Sequence, residues 1–457
     1  MSNNDAILAA CDEIERQTQL IRDEVDDLPP PEPEPPDYAL VPEGGNLQAA
    51  LDTGGAVVLA EGAAFSLSGG YTFSKSNTLL AGEGGNTVHG TGYPALSVPV
   101  LVDDIAFGRL TPTSTHSVAV LLGRNDDAQL TLDKVPHGIR VQDLTSSGHR
   151  GKRVVEVNAA EVTIINADIR DIYSPEGQDS QAICILNTPG PVTVEDSYLE
   201  AASENILVGG DQMKLPNTRP VGLTFRRLTL TKPLAWKTAG TPKVKNIFEL
   251  KDGHDVLVED CVLSNCWKSG QDGYGFMLTP TRGGSLRNVL IRNCTMSMVG
   301  GIVNITGIDT NYPNEPRTQI TMRGGSYHTD VSMPGSGRFC LIGRGPEYFD
   351  IEGLEVQHHG SAFIDWSDSK SGELLRVVGC TWNYGSYGVR IGGYNHGDNS
   401  AGIIKNVVIE GNTISGAHSS FKSRYPNNTY VNAYTELAAH VREVEWEDRL
   451  RRARGDY

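Results

Sequence analysis

Long hydrophobic runs are missing from this chain. None approaches the roughly 18 residues that a membrane-spanning helix needs, and the N-terminus is polar and acidic. Neither membrane insertion nor a signal peptide is therefore expected. Positive charge is scarce as well: 39 Lys and Arg stand against 56 Asp and Glu, a formal net charge of −17. Such a surface repels nucleic acid and anionic membranes, and no basic stretch is long enough to reverse that. Cysteine is sparse and odd in number, seven in 457 residues, without paired metal-ligand spacing. A reducing cytoplasm fits this better than a disulfide framework. His137, His358 and His359 lack partners at metal-binding spacing, so no metal is expected. The Gly-Gly pairs lack a strand–GxGxxG–helix context, so no nucleotide cofactor is expected either. What is abundant is glycine, 51 residues, which favours a turn-rich β protein.

The N-terminal segment has its own pattern. Ile7, Cys11, Ile14, Thr18, Ile21, Val25 and Leu28 follow one another at steps of 4, 3, 4, 3, 4 and 3, a heptad seam. Ile at d-type sites with Thr and Val at a-type sites favours three strands over two. Residues 1–28 are therefore expected to form a coiled-coil oligomerisation and anchor segment, with a homotrimer as the assembly. Residues 29–38, which take in all but the first residue of LPPPEPEPPD (28–37), are too rich in proline for helix and read as a stiff, extended spacer. Leu47, Ala50 and Leu51 then mark a short amphipathic helix, followed by a Gly-Gly turn and a buried strand, as a solenoid cap requires.

From about residue 160 a repeat emerges. VTIINADI, VTVEDSYL, LTFRRLTL, VLVEDCVL, VLIRNCTM, ITMRGGSY, FDIEGLEV, LRVVGCTW and VVIEGNTI align on a corner slot read as Ala167, Ser197, Leu228, Cys261, Cys294, Ser326, Leu354, Cys380 and Asn412. The steps are 30, 31, 33, 33, 32, 28, 26 and 32 residues, too short for a helix in every coil and regular enough for a solenoid. Cys261, Cys294 and Cys380 share the slot with small or mildly polar residues, so they read as corner fillers. A second strand family follows: AICILN, NILVGG, NIFELK, GFMLTP, GIVNIT, FCLIGR, AFIDWS and GVRIGG. Its polar ends, Asn187, Asp211, Asp252, Arg282, Asp309, Arg344, Asp368 and Asn395, are expected along one edge.

These units resemble a right-handed, single-stranded parallel β-helix of the pectate-lyase-like superfamily. More closely, SENILVGGD (203–211), KPLAWK (232–237), KNIFELK (245–251), SNCWKSGQDGYGFMLTPTR (264–282) and GGIVNITGID (300–309) resemble a bacterial β-helix-repeat family that has no agreed catalytic set to carry over. With the stalk, the architecture is also similar to phage tailspikes. That resemblance implies an all-β virion spike or tail fibre, assembled in the bacterial cytoplasm and docked to tail or capsid proteins through residues 1–28. It would bind, and in some cases degrade, host surface polysaccharide. Two alternatives stay open: a bacterial polysaccharide lyase or glycoside hydrolase, and a non-enzymatic decoration trimer of a virus particle. The β-helix with its cap is placed at 39–422. After Asn412 the repeat fades; 423–457 reads as a loop, SRYPNNTYVN, and a short helix from Thr435.

Glycoside hydrolysis requires two carboxylates. Glu204, Asp211, Glu249, Asp252, Asp272 and Asp309 lie near one edge, and Glu249 with Asp272 form the leading catalytic pair. Glu249 alternates with Phe248 and Leu250 and so points away from the core. Trp267 and Tyr274 offer rings for sugar stacking, and Lys251, Gln271, Arg282 and Asp309 offer polar contacts. For a lyase, Lys251 or Arg282 would be the base. A second aromatic patch, Trp366, Trp382, Tyr384, Tyr387, Tyr394 and His396, competes for the binding role.

Overall fold

The alternation of apolar and polar residues continues through each eight-residue unit, yet each unit is two strands rather than one. In the computed structural model, which describes residues 38–368 and 370–431, a single residue at positive φ turns the chain between them. It is Asn166, Asp196, Arg227, Asp260 and Asn293 in successive coils, each with φ between 53° and 54°, and then Gly324 (where Gly325 is also at positive φ), Gly353, Gly379 and Gly411. Asn and Asp accept this left-handed conformation more readily than other side chains, and Gly accepts it freely. The slot read from the sequence is the residue just after that corner. Ala167, Ser197, Leu228, Cys261, Cys294, Leu354, Cys380 and Asn412 are all buried there. One member is corrected: Ser326 pairs with Thr295, so the residue opposite Cys294 is Gly325.

One coil shows the plan. Val192–Glu195 lies in the first sheet, Tyr198–Ala201 in the second and Glu204–Val208 in the third. The next coil repeats them as Val221–Arg226, Thr229–Thr231 and Phe248–Leu250. Every step pairs parallel and in register, Val194 with Phe225, Leu199 with Leu230, Ile206 with Phe248. The fold is a parallel β-helix. Its inner faces form stacks such as Ile164, Val194, Phe225, Val258, Ile291, Met322, Ile351 and Val377, all buried. Each such side chain stabilises by about 1.5–3 kcal/mol on leaving water. Phe225, Phe248 and Phe276 meet edge to face at 4.9 and 5.8 Å.

The N-terminal end is closed as the sequence implies. Asn46 caps the helix Leu47–Thr53, its Oδ1 accepting from Ala49 N at 3.0 Å, and Leu47 and Leu51 are buried. At the other end a helix, Ser419–Arg424, spans the expected end of the β-helix at 422, and the stretch expected to be loop holds a strand, Thr429–Val431, that pairs parallel with Thr413–Ser415. The chain divides into two units, 1–39 and 40–457, and this architecture belongs to the second. The heptad segment 1–28, most of the proline-rich spacer and the helix expected from Thr435 lie outside the described residues. Among the described residues no helix is long and apolar enough to cross a membrane.

The corner sets a testable constraint. Asn293→Val should lower stability by about 1–2 kcal/mol, because a β-branched residue resists positive φ, whereas Asn293→Gly should change it by about 0.5 kcal/mol or less. Chemical denaturation of the two variants distinguishes them.

Candidate functional site

The corner between the second and third sheets varies widely, from Gly300 alone to the stretch 232–247. In the coil of Tyr198–Ala201 it is only Ala202 and Ser203 before Glu204 begins the next strand. The coil before it inserts residues 173–180 at that point, and the coil after it inserts 232–247, including the helix Leu234–Ala239. A short corner between two long ones leaves a gap. The gap is a cleft of about 550 Å³ with Ser180, Ala202 and Ser203 along its base and Tyr173, Trp236, Lys243 and Lys245 among its walls.

The inserted segments are held down by a small apolar cluster of their own, Ala202, Trp236, Val244, Trp267 and Met333. Tyr173 packs edge-on against Trp236 at 6.2 Å, and the Arg150 guanidinium lies 3.8 Å over the Tyr173 ring. Below the helix, Lys232 is fully buried. Its Nζ donates towards the carbonyls of Ala201 (2.7 Å), Ala202 (3.1 Å) and Ser203 (3.1 Å) and towards Asn205 Oδ1 (3.2 Å). Burial pulls this ammonium down to about 8. Lys232 thus ties down the corner on both sides of Glu204.

The outward face of the third sheet next to the cleft carries a strip of buried polar groups. Arg153, Gln181 and Glu204 stand in register on successive coils. Arg153 pairs with Glu156, Arg153 Nε donates to Gln181 Oε1 at 3.2 Å, and Gln181 Nε2 donates to Glu204 Oε2 at 2.8 Å. One coil further, Glu249 takes Lys251 Nζ at 2.6 Å and Asn246 Nδ2 at 3.1 Å. Glu204 is 3% exposed and Glu249 2%. Burial, reinforced by the Glu249 charge, pushes the Glu204 carboxyl up to about 8. Lys245 and Asp179, whose charges act on Glu204, pair with one another, Nζ to Oδ1 at 2.5 Å. A second cleft of about 450 Å³ opens at the other end of the strip, over Arg153 and Glu156.

The pieces of sequence that carry the β-helix-repeat resemblance therefore meet here: Ser203 and Glu204, Lys232, then Lys245, Asn246, Glu249 and Lys251, and finally Gln271, whose Oε1 accepts from Asn246 Nδ2 at 2.7 Å. Other expected site residues have different positions. Asp272 is exposed and pairs with Lys268 at 2.9 Å, so Gln271, not Asp272, reaches the group beside Glu249. Trp267 and Tyr274 are buried, at 5% and 1% exposure; neither presents a ring face to a sugar. Trp267 holds the insertions down instead. Asp309 accepts the backbone N–H of Arg282 (2.7 Å) and Asn311 (3.0 Å), so it locks a turn. The Arg282 side chain is exposed. Asn187 and Asp252 secure backbone N–H groups in the same way. In the second aromatic patch Trp366, Trp382 and Tyr384 are core, with Phe363 stacked on Trp382 at 4.2 Å, and only Tyr387 and Tyr394 are exposed. The corner thiols are buried too, and burial raises Cys294 and Cys380, the latter to about 11, leaving them poor nucleophiles.

Sequence reasoning named Glu204 among the edge acids but missed Arg150, Tyr173, Asp179, Trp236, Lys243 and Lys245. The signal was the unequal spacing between strand families, long before and after the two-residue corner at Ala202–Ser203. Among the described residues no group of three or more His, Cys, Asp or Glu is placed to hold a metal ion.

No protein-family model and no curated protein matches the sequence. Solved structures do. The catalytic unit of a GH87 α-1,3-glucanase from Streptomyces thermodiastaticus superposes with a TM-score of 0.52 at 13% identity, covering 84% of this chain and 70% of that one. An alginate lyase from Paenibacillus gives a TM-score of 0.47 at 13% identity, over 65% of this chain and 96% of that one. The tailspike protein gp49 of Pseudomonas phage LKA1 gives 0.39 at 13%, over 83% and 76%. The likeness is one of fold.

A buried acid that keeps its proton makes stability fall with pH. Glu204 binds its proton more tightly folded than unfolded, so stability declines as pH rises from the ordinary carboxylate range through about 8. Glu204→Gln removes that decline. Relative to the unmodified protein it should gain on the order of 3 kcal/mol between pH 4 and pH 9, read from denaturation midpoints of both proteins across that range.

Proposed function

We propose that this chain is a virion spike or tail fibre that binds host surface polysaccharide, and that the sugar lies in the cleft at the corner of the second and third sheets. The observation that carries the glycan reading is the cleft's composition. Serines line its base, an aromatic pair flanks it, and charged groups of both signs surround it. That mixture suits hydroxyls and ring faces better than an apolar ligand. Its charges are not balanced. Arg150 pairs with Asp171 and Lys245 with Asp179, both at 2.5 Å, while Lys243 is exposed and has no ion-pair partner among the described residues. A spare cation at the mouth favours an acidic sugar. The virion part of the reading rests on the heptad seam and proline spacer at the N-terminus, whose expected product is a homotrimer on a stalk.

Binding of full-length protein to a panel of acidic and neutral bacterial polysaccharides tests this directly. An acidic polysaccharide should bind, and Lys243→Ala should weaken it about tenfold at low salt, less as salt screens the contact. Tyr394→Ala, on the exposed aromatic patch, should leave affinity unchanged. Failure to bind any of them, or loss with Tyr394→Ala alone, would overturn the placement. Light scattering should report a trimer; a monomer would remove the stalk argument.

A further inference from the structure

We propose that Glu204 and Glu249 are the acid and the base of a glycoside-hydrolysing centre beneath the cleft. This rests on the glycan-binding reading above and adds bond cleavage to it. Burying two acids this deeply, at 3% and 2% exposure, opposes folding. Nothing in the sheet demands them: Glu249's in-register neighbours on the flanking coils are Leu207 and Met277. Their surroundings differ in the sense that acid–base chemistry uses. Among the described residues the one hydrogen-bond donor to Glu204 is a neutral amide, Gln181 Nε2, and burial with the Glu249 charge favours its protonated form. Glu249 is ion-paired with Lys251 and also accepts from Asn246.

Neither acid lines the cleft itself, but Glu204 directly follows Ser203, which does, and the cleft residues Lys245 and Asp179 carry charges that act on it. That pair is partly in water, Asp179 with 56% of its side chain exposed and Lys245 with 23%, and an exposed ion pair is easily parted. An anionic sugar unit that takes Lys245 in place of Asp179 opens the way to Glu204. Lys232 is a positioning residue here, since it fixes the carbonyls of 201–203 and the Asn205 side chain on either side of the acid.

The step balances without a cofactor. Glu204 gives its proton to the glycosidic oxygen as the bond from that oxygen to the anomeric carbon breaks. The oxygen of a water molecule bonds to the anomeric carbon, and the proton it sheds passes to Glu249. The products are two shorter chains, one with a new reducing end. Proton exchange with solvent then restores Glu204 and Glu249.

The experiment uses full-length protein and whichever acidic polysaccharide of the panel it binds. Reducing ends should appear without unsaturated uronates. Glu204→Gln and Glu249→Gln should each lower the rate by at least about 100-fold while binding the same polysaccharide within about twofold. The rate of the unmodified protein should fall on the alkaline side as Glu204 loses its proton. Should Glu249→Gln not fold, Glu204→Gln and that alkaline limb decide the matter. Binding without any release of reducing ends, release of unsaturated uronates, or full activity in Glu204→Gln would each overturn the hydrolytic centre while leaving the glycan reading intact. Absence of binding would overturn both.

Discussion

In-register parallel stacking governs this molecule. Each side chain stands one strand spacing, about 4.8 Å, from its counterpart in the next coil, so every choice at one position is made beside its neighbours. Apolar residues profit, as Phe248 and Phe276, paired in register on the third sheet, show. Charges must alternate or find partners off the row. On the outward face of the first sheet they do both: Glu259 holds Arg292 at 2.5 Å, and Arg323 and Arg376 both pair with Asp350, at 2.7 and 2.8 Å. The third sheet breaks this economy at Glu204 and Glu249, where two acids approach with their surroundings already sealed.

That departure coincides with a two-residue corner, Ala202–Ser203, that sits between insertions at 173–180 and 232–247. The insertions need their own apolar cluster around Trp236 and Trp267, and Lys232 must be buried to hold the turn beneath them. A scaffold optimised for stability alone would use neither a buried ammonium nor a protonated buried glutamate. Their meeting at a polar cleft is the physical reason for placing function here rather than along the charged first sheet.

Much of the fold was legible because stacking imposes its period on the sequence. The corner slot could be counted from Ala167 to Asn412, and Cys261, Cys294 and Cys380 were identifiable as fillers. Alternation concealed the turn itself, since a single residue such as Asn293 at φ 53° reverses direction without disturbing the polar–apolar rhythm. The site was legible only in part. Period 2 correctly turned Glu249 outward, but an outward side chain on a β-helix is not an exposed one when an insertion covers it. For the same reason Trp267 and Tyr274, which looked like sugar platforms, are buried, and Asp272, which looked like Glu249's partner, faces water beside Lys268. Insertions fold back over distant coils, and one sequence does not say where they land.

A crystal structure of the protein with an oligosaccharide from the polysaccharide it recognises tests the central claim most directly. The sugar should lie over Ser180 and Ser203, between the segments 173–180 and 232–247, with an acidic group near Lys243 or Lys245. Sugar bound instead on the first sheet's outward face, or beside Tyr387 and Tyr394, would contradict the account.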